Sequence, residues 1–239
     1  MAIRIGLAAP AAATIDYEFH FTADDVVESG GAISQLNDQS SNGNDAVMSG
    51  GAYQPSYNAT DANLNSQPSI TFNNDTMDLS IPAVIRSSDN FTMFWVGKVD
   101  TGQRFDIIGD AFKAEDVITI FEDLGYVRLR AESFTNAGAT TANITNCLLY
   151  SSTMDTYAVW CITIDGTTAK LFKNGSLEDS NTTLANNFAP YTIGALSTSR
   201  RSKGTIADFR IKNQYDLSEI NSVGSELATK YGFTWTTIT

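Results

Sequence analysis

Residues 157–175 read YAVWCITIDGTTAKLFKNG, two strand-like runs joined by Asp165–Gly166. An Asp-Gly pair between β-forming runs is the strongest short hairpin signal, because such a tight turn needs positive φ and these residues tolerate it. The second run ends in Asn174–Gly175, another turn pair. Upstream, FTMFWVGKV (Phe91–Val99) is apolar almost throughout, as expected of a strand buried at the centre of stacked sheets. RFDIIG, VITIF and YVRLRA follow it at short spacing, and a Thr/Asn-rich tract, Ser133–Asn146, then reads as a loop or edge excursion.

Nearer the start, TIDYEFHF (Thr14–Phe21) alternates. Ile15, Tyr17, Phe19 and Phe21 share one face; Asp16, Glu18 and His20 share the other, the pattern of a half-buried strand. PSITF (Pro68–Phe72) and MDLSI (Met77–Ile81) flank a turn at Asn73–Asn74–Asp75. Only DLSEINSVGSELATKYG has helical spacing, through Leu217, Ile220, Val223, Leu227 and Tyr231. Asp216 is placed to cap its start, with Glu219 completing a capping box, and Gly232 to stop it. The expectation is all-β: two antiparallel sheets and one short C-terminal helix, with residues 1–14 as an N-terminal arm and 15–239 as one sandwich domain.

Composition narrows the function. Hydrophobic residues make up 42% and charged residues 18%, enough apolar material for a core with a largely uncharged polar remainder. The net charge of -12, from 15 Lys+Arg against 27 Asp+Glu, disfavours nucleic acid as a partner. Basic charge gathers at Arg200, Arg201, Lys203, Arg210 and Lys212. This reads as a solvated loop running into a strand; the sharper reading of Arg200, Arg201 and Lys203 is a contact for an acidic glycan or acidic partner. No stretch approaches the roughly 20 apolar residues of a membrane span, so no membrane partner is expected. Cys147 and Cys161 could pair, though nothing beyond the presence of both suggests it, and Cys161 reads as a small core hydrophobe.

The segments LNDQSSNGNDA, NSQPSITFNNDTMDLSI, FTMFWVGKVD, YAVWCITIDGTTAKLFKNGSLED and KGTIADFRIKNQYDLSEIN, in this order, resemble laminin-G-like domains. Such domains are common in bacterial surface proteins and phage particles. The likeness spans about residues 33–233 and implies a concanavalin/laminin-G-like jelly-roll sandwich. Two departures occur in the first loop: Leu36 lies where the family usually has Trp, and Ser41 replaces a Gly. The resemblance implies binding of glycans or proteins.

Catalytic signatures are sparse. A glycoside hydrolase needs two facing carboxylates, but Glu115–Asp116 and Glu122–Asp123 are adjacent pairs that a strand would send to opposite faces. His20 is the only histidine and has no nucleophile motif nearby, so it reads as an exposed strand residue. Asp38, Ser40, Asn42 and Gly43 follow the first half of a calcium-loop spacing, with Ser49 where the closing Glu would stand. Calcium is therefore the one cofactor to weigh. The preferred reading of Asp38, Ser40 and Asn42 is a loop tied by Asx-turns.

The start, MAIRIGLAAPAAAT, only faintly imitates an export leader: Arg4 is its single charge and Pro10 interrupts it. It reads instead as a docking arm, with Ile3, Ile5, Leu7 and Pro10 meeting a capsid or tail protein. The expected function is a non-catalytic phage virion surface protein, a capsid decoration or tail/fibre component made in the host cytoplasm. It would bind other virion proteins and glycans, and could form a homo-oligomer. The alternative is an extracellular, secreted or cell-surface lectin-like domain, with a degenerate glycoside hydrolase third.

Overall fold

The computed structural model describes residues 16–47, 54–75, 90–108, 117–121, 126–132, 144–151, 153–166, 168–182, 195–197 and 200–239. The N-terminal arm, the MDLSI segment and the pairs Glu115–Asp116 and Glu122–Asp123 lie outside these residues. The strands run in the order β1 Phe19–Thr22, β2 Val26–Ser29, β3 Ala32–Leu36, β4 Ala46–Val47, β5 Ser56–Asp61, β6 Gln67–Asp75 and β7 Asn90–Val99. Four more follow: β8 Arg104–Ile108, β9 Val117–Phe121, β10 Tyr126–Glu132 and β11 Ile144–Tyr150. The last are β12 Ala158–Asp165, β13 Thr168–Lys173, β14 Ser176–Thr182, β15 Ala195–Ser197 and β16 Arg200–Lys212, before helix α1 Leu217–Tyr231.

Two antiparallel sheets form the expected sandwich, and they are unequal. The large sheet has 12 strands, with the path β14-β13-β12-β7-β16-β6-β5-β3-β2, while β8 to β11 form a four-stranded sheet. Its spine is β16, which pairs with β7 on one side and with β6 and then β1 on the other. Both hairpins read from the sequence are present. Gly166 has φ 58°, and Asn174 and Gly175 have φ 50° and 81°. At Gly175 a side chain would also collide with the tail, since a Cβ there would lie 1.8 Å from the Thr236 carbonyl oxygen.

The large sheet is buried on both faces, which explains the unbroken apolar run in β7. Phe91, Met93, Trp95 and Val99 face the small sheet, meeting Phe105, Val127 and Leu149. Phe94 and Val96 face the other way, packing with Val159, Cys161 and Phe172 beneath Val223, Leu227 and Tyr231 of α1. Trp95 joins the sheets: its ring stacks on Phe105 at 5.9 Å and on Trp160 at 6.2 Å, and its Nε1 donates to the Thr205 carbonyl at 3.2 Å.

Helix α1 begins and ends as its sequence requires. The Asp216 carboxylate accepts from the Glu219 N–H at 3.0 Å, and Gly232 stops the helix in the left-handed conformation. Cys161 carries a free, buried thiol, so it forms no bridge with Cys147. The two residues belong to different sheets, β12 and β11, and burial pushes the Cys161 thiol pKa up.

Candidate functional site

The loop containing Asp38 ties itself shut. Asp38 Oδ1 accepts from the main-chain N–H groups of His20 and Ser40, each at 3.0 Å. Its Oδ2 accepts from the Ser40 hydroxyl at 2.7 Å and the Asn44 N–H at 2.8 Å. Asn42 Nδ2 donates to the carbonyls of Tyr17 and Glu18, so the loop is also stitched to the chain entering β1. Nearby, Asp45 accepts from the Asp38 N–H and from Gln35 Nε2. Both Asp38 oxygens are thus engaged by protein donors, and a cation could use them only by displacing these bonds. As arranged, Asp38, Ser40 and Asn42 do not fit calcium. Among the described residues no group of three or more His, Cys, Asp or Glu side chains could hold a metal. Removing the carboxylate by Asp38→Ala should lower unfolding free energy by about 1–3 kcal/mol, because buried N–H donors lose their acceptor. Urea denaturation in chelator-treated buffer measures this; a loss seen only with added calcium would contradict the hydrogen-bonded account.

The basic cluster divides into two environments. Arg210, read as part of a solvated stretch, is instead buried between β16 and α1. It pairs with Asp208 at 2.8 Å and with Glu226 at 2.9 Å, and contacts the Tyr17 hydroxyl at 3.4 Å. Burial alone would raise the Asp208 carboxyl pKa, but the adjoining His20 and Arg210 hold it below its ordinary value. Lys212, next along the same face, pairs with Glu219 at 2.6 Å. His20 corrects the reading of an exposed strand residue. It is half-buried, with Nε2 3.7 Å from Asp208 Oδ1, beyond hydrogen-bonding distance. Tyr17 also departs from its expected face: the chain bends at Glu18, and Tyr17 lies against Arg210 rather than beside Phe19 and Phe21. These groups anchor the helix to β16.

Arg200 and Arg201 open β16, where they pair with β15, and this hairpin packs against β8 at the edge of the small sheet. Lys203 follows, partly buried, opposite Asn73 of β6. The backbone of this stretch thus runs along the β8 edge of the small sheet.

That sheet presents a face absent from the sequence reading. Register aligns Phe105, Ile120, Val127 and Leu149 in one row, and Phe105, Val127 and Leu149 are buried in the core. The adjoining row is Arg104, Phe121, Tyr126 and Tyr150. Successive strand residues alternate between faces, so Tyr150, next to buried Leu149, turns away from the core. Tyr150 is 53% exposed there, with its N–H donating to Asp179 Oδ2 at 2.8 Å. The sequence does contain the run YVRLRA, but only strand partners show that Tyr126 stands in register between Phe121 and Tyr150.

No protein-family model matches the chain, and no curated protein matches it significantly. Solved structures do. The binding domain of Paraclostridial Mosquitocidal Protein 1 superposes with a TM-score of 0.59 at 14% identity, covering 91% of this chain and 55% of that one. An arabinofuranosidase complexed with arabinofuranosyl-alpha-1,2-xylobiose gives 0.53 at 13% identity, covering 84% and 51%. Trypanosoma rangeli sialidase in complex with 2,3-difluoro-KDN gives 0.50 at 14% identity, covering 90% and 33%. The chain spans little more than half of the longest-matched of these proteins. At such identities the likeness establishes the fold: this is an all-β sandwich of a kind found both in binding domains and in enzymes.

Proposed function

We propose that the chain is a non-catalytic, glycan-binding sandwich module displayed on a phage virion, as a capsid decoration or tail/fibre component. The observation that carries the glycan reading is the ring of Tyr150, 53% exposed on β11 with the Asp179 carboxylate against its main-chain N–H. Structures sharing the fold include an arabinofuranosidase holding an arabinofuranosyl xylobiose and a sialidase holding 2,3-difluoro-KDN, which supports a sugar as the ligand class. The virion setting rests on the resemblance to laminin-G-like domains of phage particles. In that setting the arm, through Ile3, Ile5, Leu7 and Pro10, docks the module onto a capsid or tail protein.

The test of binding is a glycan array with the full chain and a Tyr150→Ala variant. Losing one ring contact worth about 0.5–1.5 kcal/mol should weaken binding about two- to tenfold. The thermal midpoint should stay near that of the parent chain. Unchanged affinity would remove Tyr150 from the site. For the setting, the protein should be stoichiometric in purified particles by mass spectrometry; its absence there would leave an extracellular lectin-like module as the surviving reading.

A further inference from the structure

The chain contains two Asn–Gly pairs, Asn42–Gly43 and Asn174–Gly175, and the fold puts them in opposite environments. Both glycines turn the backbone with positive φ, 62° and 81°. Around Asn174 the chain is pinned. Its N–H donates to the Val159 carbonyl at 2.8 Å, its Oδ1 accepts from the Val159 N–H at 2.9 Å, and its carbonyl accepts from the Thr236 N–H at 2.8 Å. Gly175 is buried, with the Thr236 carbonyl packed where a side chain would stand. Asn42 and Gly43, by contrast, are both exposed, and a Cβ on Gly43 would meet nothing within 4 Å. Among the described residues nothing accepts from the Gly43 N–H or donates to Asn42 Oδ1. Only Nδ2 of that side chain is engaged, by the Glu18 carbonyl at 3.2 Å and the Tyr17 carbonyl at 3.4 Å.

We propose that Asn42 is a self-modification site, where the Gly43 nitrogen converts the side-chain amide to a carboxylate and so unstitches the loop from the chain entering β1. The Gly43 nitrogen gives its proton to solvent and attacks Asn42 Cγ. A C–N bond forms, the Cγ–Nδ2 bond breaks, and Nδ2 takes a proton from solvent and leaves as ammonia. Water opens the resulting cyclic imide at either carbonyl, giving aspartate or isoaspartate, and no other reactant is consumed. Asparagine is among the thermolabile side chains, and a glycine nitrogen is the least shielded because no Cβ stands beside it. The nitrogen that leaves is the one that binds Tyr17 and Glu18, so the product offers those carbonyls no donor. It adds instead a negative charge to a loop that already holds Asp38 and Asp45 and is tied to Asp16 through Ser41. Like charges this close repel. At Asn174 the same closure requires the side chain to leave Val159 and the tail to lift off Gly175.

The experiment holds the full chain at mildly alkaline pH, in native buffer and in unfolding guanidinium chloride, and follows both pairs by peptide mapping with isoaspartyl methyltransferase labelling. Unfolded, the two pairs present the same local chemistry and should react at comparable rates. Folded, Asn42 should react at least about tenfold faster than Asn174, a factor equivalent to about 1.4 kcal/mol of barrier. A folded ratio no larger than the unfolded one overturns the site. The Asn42 rate should also rise with pH, because the attacking nitrogen must lose its proton; a flat profile overturns Gly43 as the nucleophile. Asn42→Asp reproduces one product directly, and its urea midpoint should fall below that of the parent chain. An unchanged midpoint overturns the unstitching.

Discussion

Asp208→Ala should destabilise the fold by about 3–5 kcal/mol, the range expected when one partner of a buried ion pair is removed. The carboxylate is fully buried and takes two guanidinium contacts from Arg210, at 2.8 and 3.1 Å. Its loss leaves Arg210 facing only Glu226 and the Tyr17 hydroxyl, and it also removes a neighbour of the Tyr231 hydroxyl, 3.5 Å away. Urea denaturation compared with wild type gives the value, and a change under 1 kcal/mol would show that Arg210 finds other compensation. The same group sets an acid limit. Because its folded pKa is depressed, its contribution to stability is present above the ordinary aspartate value of about 3.9 and is lost as pH falls through the folded value. The thermal midpoint of the wild type should therefore drop more steeply below about pH 4 than that of Asp208→Asn, which has no proton to gain at this position.

Trp95→Ala should have an effect of the same size, about 3–5 kcal/mol, from lost burial and the cavity left behind. Its consequences should be localised differently. Trp95 is the residue through which β7 grips β8, by the ring stack on Phe105, while its Nε1 fixes the indole against β16. Removing it loosens the small sheet from the large one. Amide exchange in β8 to β11 should accelerate more than exchange beneath α1, and glycan binding should weaken even though Tyr150 is unchanged. Uniform acceleration across both layers would mean that Trp95 supports the whole sandwich rather than the junction.

Much of this architecture is legible in one dimension. The hairpin at Asp165–Gly166, the doubly buried β7 and the capped helix Leu217–Tyr231 depend on local residues: turn pairs, apolar runs, a capping aspartate and a stop glycine. What the sequence hides depends on distant partners. Arg210 looks like one member of a basic surface run until Tyr17 and Glu226 are brought to it from opposite ends of the chain. His20 looks exposed until β16 lays Asp208 beside it. The register of the small sheet is hidden for the same reason. Phe121, Tyr126 and Tyr150 belong to three strands, and only pairing shows that they stand side by side. The Asp38 loop was readable in part, since Asx-turns follow from local spacing, whereas its stitching to Tyr17 and Glu18 is not local.

The free thiol of Cys161 offers a practical handle on motion. It is wholly buried in the layer between β12 and α1. A labelling reagent can reach it only when that layer parts. In a Cys147→Ser background the labelling rate becomes a stopwatch for helix lift-off, recorded without any introduced probe. Comparing that rate with exchange in the small sheet would reveal whether the two coverings of the large sheet breathe together or on separate schedules.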